Sequence, residues 1–166
     1  LFTDVQPLVH TGVRATYKIN DQLSVMGGLN NTAFDPTGGT EKPQKTIELG
    51  ATFAPICSLT TALSYYHEAG DPVPGTLGRT DLVDVVATFQ ATSIWSVGLN
   101  GDYRHAADIS GTPGTSGTLK GIALYSSLQL ASSLKGSLRA EYVDNIGVPA
   151  PFYNGTATSG SAKEIT

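Results

Sequence analysis

Apolar and polar residues alternate with a period of two along most of this chain. Eight stretches of about nine to thirteen residues hold the pattern, near 10–19, 22–31, 45–55, 59–68, 80–91, 94–105, 119–130 and 134–144. A period of two sends successive side chains to opposite faces of an extended strand, so each stretch predicts a β-strand with one apolar and one polar face. In the first, Val13, Ala15, Tyr17 and Ile19 share one face, and Gly12, Arg14, Thr16 and Lys18 share the other. The apolar sets continue as Leu23, Val25 and Leu29; Ile47, Leu49, Ala51 and Phe53; and Leu59, Leu63 and Tyr65. In the second half they are Val83, Val85, Ala87 and Phe89; Trp95, Val97, Leu99 and Tyr103; Ile122, Leu124, Leu128 and Leu130; and Leu134, Leu138, Ala140 and Tyr142. None has the unbroken apolar run of a parallel sheet covered on both sides.

The connections alternate too. Asn20-Asp21, Ile56 to Ser58, Ala91 to Ser93 and Ala131 to Ser133 are tight, whereas 32–44, 69–79, 106–118 and 145–162 are long and hold most of the Pro and Gly, as in "DPTGGTEKP" and "GDPVPGTLG". Four antiparallel hairpins follow, with turns at one end and irregular loops at the other. Tyr17, Phe53 and Phe89 each precede a tight turn at a spacing of 36 residues, and Leu128 takes the matching place 39 residues later. That period resembles a propeller blade, but a blade needs four strands and each period here supplies two.

Periodicity alone does not say which face meets water. A soluble barrel turns its apolar parity inward, and an outer-membrane barrel turns it out to lipid. Three features favour the membrane: strands long enough to cross a bilayer at a tilt, aromatics gathered at both strand ends, and a polar parity that carries charges of both signs in mid-strand; their combination with short turns opposite long loops separates it from a soluble barrel. Tyr17, Phe53, Phe89 and Trp95 lie near the turns, and Tyr65, Tyr66, Tyr103 and Tyr142 near the loops. In that arrangement Ile47, Leu49, Phe53, Leu59, Leu63 and Tyr65 face lipid, while Glu48, Thr52, Thr60 and Ser64 face a lumen. The charged candidates for the pore lining are Arg14, Lys18, Glu48, Asp84, Asp102, Arg104, Lys135, Arg139 and Glu141.

Composition narrows the field further. Nineteen Gly and 14% charged residues suit a turn-rich β protein of one domain, residues 1–166, or a segment of one. Ten basic against fourteen acidic side chains, a net charge of −4, offer no footprint for nucleic acid. Cys57 is the single cysteine, so the chain forms no internal disulfide and no thiolate cage. No run approaches the roughly 18 apolar residues of a membrane helix. Leu1 is not an initiator Met, and Lys163 to Thr166 reads as the start of a further strand, so a mature or partial chain is expected.

"HTGVRATYKINDQLSVMGGLNN", "KTIELGATFAPICSLTTALSYY", "RTDLVDVVATFQATSIWSVGLNGDYRH" and "LKGIALYSSLQLASSLKGSLRAEYVDN" resemble the outer-membrane β-barrel porins of the OmpL-like porin-2 group over about residues 7 to 145. The resemblance implies an all-β, antiparallel up-and-down transmembrane β-barrel in the bacterial outer membrane, larger than the eight strands read here. It also implies passive diffusion of small hydrophilic solutes.

Catalytic and metal chemistry have little support in the sequence. His67 with Glu68, and His105 with Asp102 and Asp108, are the nearest approach to a metal set, and no Gly-x-Ser-x-Gly elbow or Walker ending is present. Asn30-Asn31-Thr32 and Asn154-Gly155-Thr156 match the glycosylation sequon, which has no role expected in a bacterial porin. No cofactor and no enzymatic activity are expected. The expected partners are outer-membrane lipid and small hydrophilic solutes, with a homo-oligomer or an extracellular partner also open. The alternative readings are a non-conducting structural barrel that anchors an extracellular partner, and a soluble barrel that holds a small apolar ligand.

Overall fold

A computed structural model describes residues 11–31, 45–70, 78–108, 114–147 and the backbone of 159–165. The histidine at position 10, "GGTEKP" and the second sequon lie outside them. Nine strands follow in chain order: β1 (Gly12–Lys18), β2 (Leu23–Asn31), β3 (Lys45–Ile56), β4 (Leu59–Glu68), β5 (Thr80–Gln90), β6 (Trp95–Ala107), β7 (Ser116–Ala131), β8 (Leu134–Ile146) and β9 (Ser159–Ile165). Among the described residues they form one sheet in sequence order, every neighbour antiparallel, and it remains open between β1 and β9. No described helix is long and apolar enough to cross a membrane, which says nothing of strands.

All eight predicted strands are present. The ninth begins at Ser159, inside the stretch read as loop, and so takes in the expected start at Lys163. The link read as 106–118 is also shorter, because pairing continues from Ala106↔Gly117 to Ala107↔Ser116. Asp108 ends that ladder in a left-handed conformation at φ 54°. Its N–H donates to the Thr115 carbonyl at 2.7 Å, and its carboxylate accepts the Gly114 N–H at 2.9 Å. A short side chain that bonds locally makes this conformation accessible to Asp.

Side chains hold the tight turns. The Asn20 Oδ1 accepts the N–H groups of Gln22 and Leu23, both at 2.9 Å, and Thr92 Oγ1 accepts those of Ile94 and Trp95 at 3.3 and 3.1 Å. Gln90 donates to the carbonyls of Thr92 and Trp95, and Gln129 repeats the device on Ala131 and Leu134. The near-40-residue repeat is therefore structural as well as sequential.

The two faces differ in kind. Every buried residue lies on the parity that carries the charges, including Thr46, Glu48, Asn100 and Asn145, each no more than 2% exposed. On the other parity Leu49, Phe53, Leu99, Leu124 and Leu138 stand exposed, Leu138 at 58%. A twisted sheet that coils toward one side buries that side's residues against one another and splays the other. Here the side that is turned in is the polar one. The inner face is not purely polar, since Leu82, Leu119, Ala123 and Val143 are buried on it.

The outer apolar belt slides along the strands. In one paired row β1 to β3 carry Val13, Leu29 and Ile47, and β4 to β6 carry His67, Asp81 and His105. At the turn end the belt reaches Leu130 and Leu134 on β7 and β8. A horizontal apolar layer crossed by tilted strands produces that drift, because each paired row rises relative to the layer from strand to strand.

Candidate pore-lining face

Each charged candidate can be placed by register. Arg14, Gly28, Glu48, Tyr66, Leu82, Arg104, Leu119 and Asn145 form one paired row across β1 to β8. The next row toward the turns holds Asp84 opposite Asp102, and the one after it holds Lys18 and Glu141. Arg139 follows on β8 opposite Tyr125, and Lys135 opposite Gln129. All nine share the inner parity. Tyr66 does so too, opposite Glu48, so it leaves the loop-end aromatic belt to Tyr65, Tyr103 and Tyr142 on the outer parity.

Their local chemistry is that of linked pairs. Arg14 clamps Glu48 with Nη2 at 2.7 and 2.9 Å from the two carboxylate oxygens and Nε at 3.2 Å, and Asn30 adds a bond at 3.1 Å. Arg14 and Glu48 sit on strands that are not adjacent, so the guanidinium must cross β2. It crosses at Gly28, where a Cβ would already stand 3.1 Å from Glu48 Oε2. Glycine is what keeps that route open.

Elsewhere Thr46 donates to Glu68 at 2.7 Å, Asn100 to Asp84 at 2.7 Å, and Arg139 pairs with Glu141 while lying 5.7 Å from the Tyr125 ring centroid. Asp102 and Arg104 are buried, each 5% exposed. Lys18 pairs with Asp21 at the turn, 2.6 Å away, and Lys135 is exposed near the next turn but two. Glu48, Glu68, Asp84 and Asp102 thus lie on β3 to β6 with Arg104 among them, and Arg14, Lys18, Lys135 and Arg139 lie on β1 and β8 with Glu141 among them.

Alternation separates the residues weighed for metal. His67 faces outward and Glu68 inward, as do His105 and Asp102, so neither pair converges. His67 instead meets Asp81 at 2.8 Å, where Tyr65 also donates at 2.6 Å. The apolar inner residues Leu82, Leu119 and Val143 were hidden in the pattern by their polar neighbours on the same face.

An up-and-down antiparallel sheet with its apolar side outward and its charges turned in defines a class, the transmembrane β-barrel. The chain belongs to the family described as "Putative beta-barrel porin-2, OmpL-like", whose model matches residues 1–166, its whole length. A search of curated proteins finds no match.

Proposed function

We propose that this chain forms all or part of a bacterial outer-membrane porin through which small hydrophilic solutes diffuse passively. Family membership supports a porin-like role, and one observation carries the reading: charge lies on the face that the sheet turns inward, and apolar side chains lie on the face it exposes. In water that distribution is unfavourable by about 25 cal/mol for each Å² of exposed apolar surface, while in lipid it is favourable. An excess of acids on β3 to β6 and of bases on β1 and β8, with Arg104 and Glu141 interspersed, gives the lumen face charges of both signs that set size and charge preference. No catalytic role is assigned to any residue.

Single-channel recording of the full-length barrel in a planar bilayer, with and without a salt gradient, tests this. Steady ohmic steps are expected, with a reversal potential that reports the lumen's charge preference. A second reading, a non-conducting structural barrel, has its support in the buried inner Leu82, Leu119 and Val143. A folded barrel that never conducts would select it.

A further inference from the structure

Most charges of the outer parity near the loop end are already engaged. Asp81 receives Tyr65 and His67 and lies 3.5 Å from Arg79. Lys120 on β7 and Asp144 on β8 differ. They stand directly opposite one another in the ladder, and among the described residues neither is in an ion pair. Their depth is defined by their neighbours: Tyr103 is opposite Lys120 in the same row, and Tyr142 lies one outward position from Asp144 toward the belt. One outward position is about 7 Å along a strand, or roughly 5 Å along the normal at the usual tilt. That distance carries a group from the aromatic girdle into the headgroup layer.

A notch adjoins the pair on its belt side. Gly101 faces outward between Val85 and Ile122, with Tyr103 above it and Leu99 below. A Cβ there would meet nothing within 4 Å. Fixed charges of both signs, next to one another at headgroup depth and above an apolar notch, match a lipid whose head carries both signs. A purely anionic head would gain Lys120 and be repelled by Asp144.

We propose that this outer surface binds a zwitterionic phospholipid, its phosphate on Lys120, its ammonium on Asp144 and one acyl chain in the notch at Gly101. The proposal rests on the reading of the outer face as lipid-facing. Cross-strand opposite residues have their Cβ atoms about 4.5–5.5 Å apart, a separation that a phosphate and an ammonium joined by two carbons can span. The two sites of the headgroup are thereby read together, and a lipid that lacks either charge loses one contact.

Native mass spectrometry of the full chain in micelles doped equally with a phosphoethanolamine and a phosphoglycerol lipid of the same acyl chains provides the test. About fivefold preferential retention of the phosphoethanolamine lipid is expected, the scale of one charge contact at a membrane surface. Lys120→Gln should lower retention of both lipids and leave the phosphoethanolamine lipid preferred, and Asp144→Asn should reverse the preference toward the anionic lipid. Gly101→Leu should lower retention of both lipids and leave their ratio unchanged, and Lys135→Gln, on the inner face, should leave lipid retention unchanged. Equal retention by the parent, or a ratio that Asp144→Asn does not move, overturns the proposal, as does displacement of the lipid by equimolar soluble phosphoethanolamine. Conductance reads the lumen and retention the outer face. A silent barrel with the preference intact refutes the pore alone, and a conducting barrel without it refutes the lipid site alone.

Discussion

Leu99 offers the sharpest test of which face meets lipid. It lies on the outer parity of β6, four residues from Trp95 at the turn end and four from Tyr103 at the loop end. Four residues are about 13 Å along a strand, or roughly 10 Å along the normal at a 40° tilt, so Leu99 is level with the middle of the belt. Leu99→Arg places a guanidinium at the bilayer midplane, where the cost is about 2–4 kcal/mol. That shifts the folding equilibrium by about 30- to 1000-fold. Val86 on β5 is the control, because it lies on the inner parity and is 36% exposed. Val86→Arg should cost less than about 1 kcal/mol, since a solvated charge replaces a partly exposed apolar side chain. Reversible denaturant titration of both variants in lipid vesicles reads the difference. A Leu99→Arg cost below about 0.5 kcal/mol, or one smaller than that of Val86→Arg, would refute the outward-to-lipid assignment.

Adjacent glycines give a second contrast: Gly28→Val should destabilise by about 1–3 kcal/mol because its Cβ crowds Glu48 and blocks the Arg14 route, whereas Gly27→Val, with nothing within 4 Å, should be neutral or stabilising in the same titration. An Arg14→Ala/Glu48→Ala double-mutant cycle should show coupling of about 1 kcal/mol, modest because Arg14 is half exposed; strict additivity would mean the clamp is not formed in solution. Asp84→Asn with Asp102→Asn should move the reversal potential of the open channel toward anion preference, and an unchanged potential would remove these two carboxylates from the permeation path.

The strands were legible because the period of two is strict wherever one face is apolar. Ile47, Leu49 and Phe53 announce β3, and the register that pairs them with His67, Tyr65 and Thr61 leaves the parity intact across the hairpin. The same rule placed all nine charged candidates on one face without any knowledge of pairing. What alternation does not encode is which strands lie side by side at a given height, so the Arg14–Glu48 clamp across Gly28 is invisible in sequence. Tyr66 was misplaced for a related reason. Two consecutive aromatics look alike in composition, but only one can share a face with Leu63. Leu82 and Leu119 were missed because the inner parity was read from its charged and polar members; the register places both beside Arg104 in the inner row, and each is 0% exposed.

Strand direction limits how the sheet becomes a ring. Eight antiparallel pairings separate β1 from β9, so the two run the same way and cannot close by pairing antiparallel with each other. A ring in which every neighbour is antiparallel needs an odd number of strands besides these nine. A second set of the nine described strands inserted in the same orientation leaves the same parallel contact at each junction, because β9 of one set would meet β1 of the other. Duplication of the nine described strands therefore does not make an all-antiparallel pore, whereas an odd number of further alternating strands does. The consequence reaches the lumen. About eight strands enclose only enough space for their own side chains, and the interior widens with each further pair. Charged residues that crowd into ion pairs on an inner face, as Arg14 does with Glu48 and Arg139 with Glu141, become a solvated lining only in the wider ring.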